Sequence, residues 1–135
     1  MISEEVAELV RESYGRCNLS KGFYDDFYTT FFSKSEEVKS KFRNTDLEKQ
    51  KEALRYGLGF MILYSRKHHT AVRKIDEIAK IHDQQHHNIH PDLYPIWIDS
   101  LLEVVGKHDK DFTPELDEQW RQLLKVGIDR FLELY

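Results

Sequence analysis

The chain is predicted to be all-α from its scarcity of helix breakers, their placement, and the period of its apolar residues. Six glycines and three prolines are few for 135 residues, so helices are seldom interrupted. Pro91, Pro95 and Pro114 all lie in the last third, which leaves residues 1–90 free of the strongest breaker. Apolar residues recur at spacings of three and four through most of the chain, the period of one helix face. The length fits a single domain, residues 1–135, large enough to bury roughly two thirds of its unfolded surface.

Ser3 is the expected N-cap of a first helix, whose inner face holds Val6, Leu9, Val10, Ser13 and Cys17 and whose end is placed near Gly15. A second helix starts at about Ser20 and presents Phe23, Tyr24, Phe27, Tyr28, Phe31 and Phe32, a face too aromatic to stay in water. The segment SKSEEVKSKF reads as a short turn leading to Phe42. From Asp46 a long helix runs to about Ser65 with Leu47, Leu54, Leu58, Met61 and Ile62 inward. The run KIDEIAKIHDQQHHNIH forms the next helix, ended by Pro91. A further helix from Pro91 carries Tyr94, Ile98, Leu101 and Val105 and stops near Gly106. The last begins at Thr113, with Pro114 in its first turn, and shows Leu116, Trp120, Leu123, Leu124, Gly127 and Phe131 on one side. Six or seven helices result.

Charged residues make up 33% of the chain with both signs interspersed and a net charge of −4, so there is no basic field for nucleic acid or an anionic membrane. No apolar run approaches membrane-spanning length. A single cysteine, Cys17, excludes an internal disulfide framework, and no basic segment followed by an apolar stretch opens the chain. A cytoplasmic protein is expected.

Three polar residues break the apolar stripes. His82 follows Ile75 and Ile78 at spacings of three and four, so an imidazole is carried inward beside two isoleucines. Such a group needs a partner, and imidazole is the commonest side chain for holding a metal or haem iron. On this helix alone, a core histidine bonded to a carbonyl is the simpler account. Gln50 stands three residues after Leu47 and four before Leu54 and faces inward in the same way, unless it lies at the rim and reaches solvent. Tyr28 sets a hydroxyl among phenylalanines, although a core tyrosine whose hydroxyl reaches the surface would look the same.

The strings FYTTFFSKSEEVKSKF, NTDLEKQKEAL, IAKIH and HPDLYPIWIDSLLEVV, which together span nearly the whole chain, resemble a bacterial single-domain haem globin. The resemblance implies a three-over-three helical sandwich of six to eight helices around one b-type haem. It implies that Phe42 packs on the haem plane, that Tyr28, fourteen positions earlier, is the distal tyrosine, and that Gln50 and Leu54 of QKEAL are the distal glutamine and the apolar residue one turn on. His82 of IAKIH is then the proximal iron ligand, with Ile78 one turn earlier packing under the haem and Ile89 and Tyr94 lining the proximal side. Trp120 after FTPEL fits the same pattern. The glutamate that tightens the proximal histidine in flavohaemoglobins has only a remote candidate here, Glu133.

The implied ligands are diatomic gases, O2, CO and NO. The implied roles are a reversible oxygen carrier or store, a nitric-oxide dioxygenase working with a separate reductase, or a gas or redox sensor. A competing reading comes from His82, His86 and His90, nominally i,i+4 pairs that would suit a first-row divalent metal, although no third ligand at recognisable spacing accompanies them. His87 adds to a histidine-rich helix end, while His68, His69 and His108 are expected to be exposed. Gly57 and Gly59, within a helix rather than after a strand, are no phosphate loop and are assigned to a close helix crossing.

Overall fold

In the computed structural model, which describes residues 2–135, the Ser3 hydroxyl accepts from the Val6 N–H and opens α1, Glu4–Leu19. Glu4 and Glu5 in its first turn complement the helix dipole. Ala7, Val10, Ser13, Tyr14 and Cys17 form its buried face. The expected end at Gly15 is not observed, because an exposed glycine costs a helix only about 1 kcal/mol and the buried face continues to Cys17. The break falls instead at Gly22, whose φ of 85° is a left-handed conformation that glycine adopts without strain.

The second helix, α2, spans Phe23–Lys34 and buries Phe23, Phe27, Tyr28 and Phe31. Where a turn was expected, Ser35 accepts from the Val38 N–H and starts a short helix, α3, Glu36–Lys41. Asp46 caps Glu48 and Lys49 at the start of α4, Leu47–Tyr64, whose buried residues are Leu58, Met61, Ile62 and Tyr64. Leu47 itself is exposed, since it lies in the first turn beyond the core.

The fifth helix, α5, runs His69–Ile81 and is capped by His82. It does not continue to Pro91. The segment DQQHHN offers no apolar face to bury, and local hydrogen bonds replace the helix: the Asp83 carbonyl takes the N–H of both His86 and Asn88, the Asp83 carboxylate takes that of Gln85, and Asn88 turns left-handed at φ 49°. The sixth, α6, spans Leu93–His108, running two residues past Gly106. Thr113 caps α7, Pro114–Glu133, with Pro114 at its start. Seven helices and no strand occur among the described residues, and none of the helices is long and apolar enough to cross a membrane.

Helix α6 packs on α2, α5 on α4 and α7, and α1 on α6 and α7. Trp120, Phe23 and Phe27 are the largest fully buried side chains. The close crossing joins α4 and α7 at Gly127, where an added Cβ would come within 3.0 Å of Met61 Cε. Gly57 and Gly59 have open space instead, so the crossing assigned to them is not there. One polar network is buried in this half of the fold. Asp109 accepts from Ser13 Oγ at 2.6 Å and from Arg16 Nε and Nη2 at 2.5 and 3.0 Å, while Trp120 Nε1 donates to Ser13 Oγ at 2.9 Å.

Candidate functional site

Helices α2, α3 and α4 bring the first cluster together. Phe42, directly after α3, packs against Phe31, Phe32 and Tyr28 with ring centroids 6.3, 5.5 and 6.1 Å apart. Tyr28, buried, donates its hydroxyl proton to the backbone carbonyl of Gln50 at 3.2 Å, which places the phenol beside the first turns of α4. Burial pushes the Tyr28 phenol up to about 12, which leaves it a proton donor throughout the neutral range.

The second cluster forms where α5, α6 and α7 converge. The Tyr94 hydroxyl lies 3.4 Å from His82 Nδ1, and the Phe131 ring meets the imidazole edge-on with centroids 5.5 Å apart. Burial, and secondarily the neighbouring His87, hold the His82 imidazole down at about 4, so it is neutral near pH 7. No hydrogen bond to its Nε2 occurs among the described residues, and that nitrogen is not sealed from solvent. A core histidine satisfied by a carbonyl would look different.

Among the half-buried apolar side chains packed against the core are Phe42, Leu54, Ile78, Ile89, Trp97 and Ile98, from several helices and from the segment after α5. Apolar groups on inward faces that remain partly uncovered are what a large flat apolar ligand would complete. A neutral imidazole with a free ring nitrogen and partly uncovered apolar side chains are the kinds of group that a haem site uses. Trp97, edge-on to Phe27 at 6.3 Å, was not singled out from sequence, because it lies between the buried positions of α6.

The remaining histidines divide otherwise than expected. Since α5 ends at Ile81, His82, His86 and His90 do not share a helix face. His86 is exposed and pairs with Asp83 at 2.7 Å; His90 is exposed beside Asp92. No group of three metal-ligating side chains occurs among the described residues. His108, expected in solvent with His68 and His69, is instead largely enclosed between Ser20 Oγ and Asp26 Oδ2, each at 2.6 Å. Glu133 stays away from His82: it is exposed and pairs with Arg130 at 3.2 Å, leaving the place beside the imidazole to Phe131.

The family model for globins matches residues 25–130, well over half of the chain. The chain belongs to the globin family. Its fold agrees: among solved structures it is similar to protein PA3967 of Pseudomonas aeruginosa PAO1, described as structurally highly homologous to a human haemoglobin. The two share 36% identity over 96% of this globin and 98% of that chain, with a TM-score of 0.92. No curated protein sequence gives a significant match. Globin membership implies a haem cofactor and diatomic gas ligands.

Proposed function

We propose that residues 1–135 form one globin domain that holds a b-type haem through His82 and binds dioxygen reversibly, as a carrier or store. The observation that carries the reading is His82 itself: a neutral, largely buried imidazole with an unpartnered Nε2, placed at the end of the apolar stripe of α5. A haem held there would supply an iron able to bind a diatomic gas, whose fate would depend on the donors and access of the surrounding pocket.

The chain's own residues then divide the work. Phe42, Leu54, Ile78 and Ile89 supply apolar walls that exclude water, and Tyr94 meets Nδ1 of His82 and helps fix the ring. Tyr28 and Gln50 would offer hydrogen-bond donors to a bound gas. Dioxygen develops partial negative charge on binding and gains from these donors, whereas carbon monoxide gains far less. The same donors and gases suit nitric-oxide dioxygenation with a separate reductase.

Visible absorption spectra of the purified protein, oxidised, reduced and with CO, test the reading. A Soret band in the wild type is expected, together with its loss in His82→Ala and recovery on adding imidazole. An unchanged spectrum in that variant would move the iron to another residue.

A further inference from the structure

Helix α4 carries a second apolar stripe, on the side turned away from the core. Ala53, Tyr56, Phe60 and Leu63 follow one another at spacings of three, four and three, so they share one helix face. Leu58, Met61 and Ile62, interleaved with them in sequence, take the buried face. On the outer face Tyr56 keeps 60% of its surface in water and Leu63 43%, and Phe60 is only half-buried. Single exposed apolar side chains are ordinary, whereas two large ones and a half-covered ring in one row make an association surface.

Gly59 stands within this row, three residues after Tyr56 and four before Leu63. A glycine weakens a helix interior, and nothing inside the molecule accounts for this one: a Cβ added there would meet no atom within 4 Å. A position without a side chain lets a second helix approach closely, and here that helix has to come from outside.

Charge selects which helix fits. Glu52, before the row, and Lys67, in the turn after it, are both exposed. Neither enters an ion pair among the described residues: Lys51, next to Glu52, is taken by Asp25 and Glu48, and the Lys67 ammonium rests 4.6 Å from the centroid of the Tyr64 ring. A face with an acidic group at one end and a basic group at the other is complementary to itself when turned end for end.

We propose that the outer face of α4 pairs with the same face of a second copy of this chain, antiparallel, about a two-fold axis between Gly59 and Phe60. In that register Phe60 of one protomer lies over Gly59 of its partner, Tyr56 meets Leu63, and Glu52 meets Lys67. The 18 residues of α4 span about 27 Å, and one helix pair of that length buries less than the roughly 1,600 Å² of a standard interface. The dimer is therefore weak and concentration-dependent.

Sedimentation velocity of the purified, haem-loaded protein at low ionic strength, from micromolar to millimolar concentration, tests the proposal. A reversible monomer–dimer equilibrium is expected. Leu63→Glu, on the exposed face, should weaken it by roughly tenfold or more and leave the far-UV circular dichroism unchanged. Glu52→Lys and Lys67→Glu should each weaken the dimer as well. An equimolar mixture of these two variants should restore it, because only the mixed pair brings opposite charges together at both contacts. A mixture that associates no better than either variant alone would overturn the proposal, as would a dimer indifferent to Leu63→Glu. A monomer at every concentration would assign the face to a different partner and overturn it too.

Discussion

Replacing Tyr28 by phenylalanine removes one hydroxyl and almost no volume, so it isolates the donor from the packing of its ring against Phe27, Phe32 and Phe42. In the structure that hydroxyl donates to the Gln50 carbonyl at 3.2 Å, a long neutral bond worth about 1 kcal/mol. Turning toward dioxygen exchanges it for a bond to a partly negative oxygen, worth roughly 1.5–3 kcal/mol. The difference, about 0.5–2 kcal/mol, corresponds to a dissociation rate roughly two- to thirtyfold faster in Tyr28→Phe, about tenfold at its middle to upper range, at 1.4 kcal/mol per decade. Carbon monoxide should dissociate at nearly the wild-type rate. Stopped-flow or flash-photolysis traces for both gases decide the matter. Equal acceleration of the two would mean that the phenol acts as a steric gate and that the exchange of hydrogen bonds is wrong. Gln50→Leu should act in the same direction, and a double variant whose effects do not add would place both donors on one ligand.

Ser13→Ala strands the buried Trp120 N–H and takes one donor from Asp109, so a loss of about 3 kcal/mol, or about 10 °C in Tm, is expected from calorimetry. A change below about 1 kcal/mol would show that the network is not holding α1 to the rest. Acidification should weaken the haem-free protein through His82. The unfolded imidazole takes a proton near its ordinary value of 6.5, the folded one only near 4, so the unfolded chain binds more protons in that window and stability falls as pH drops through it. The difference from His82→Gln, read by urea unfolding at pH 7 and pH 4.5, should change by at most about 3 kcal/mol. Gly127→Val should cost about 1–3 kcal/mol by pressing on Met61, whereas Gly127→Ala should be close to neutral, because better helix propensity offsets a contact that the end of a flexible side chain can relieve.

Local chemistry was the most legible part of the sequence. Ser3, Asp46 and Thr113 cap the helices they were expected to open, because a cap is decided within three or four residues. The short α3 could have been found by the same signal: Ser35 is followed by Glu36 and Glu37, a cap and an acidic first turn. The end of α5 was harder, since His82 and His86 continue a helical spacing that only the competing turn chemistry of Asp83 and Asn88 defeats. At the site, Tyr28 and Gln50 could be paired because each interrupts an apolar stripe. Phe131 could not be connected to His82, because it continues a stripe instead of breaking one and its contact joins residues on different helices. The enclosure of His108 was hidden for the same reason, since its partners Ser20 and Asp26 lie more than eighty residues away.

The buried Asp109 network also divides the molecule by how readily its parts open. It ties α1 to the junction of α6 and α7 with charged hydrogen bonds and the fully enclosed Trp120, so these amides can exchange with solvent only when the whole domain unfolds. Residues 83–90, by contrast, carry exposed side chains apart from Asp83 and Ile89 and are held by turn hydrogen bonds and a few exposed contacts, from Lys41 Nζ to the Asn88 carbonyl and from the Tyr135 hydroxyl to Asn88 Oδ1. They belong to the low-stability end of the structure. The loop that follows His82, the proposed iron ligand, can therefore loosen and re-form while the α1–α6–α7 scaffold stays intact, so a haem held by His82 would be expected to escape by a local event, faster than global unfolding.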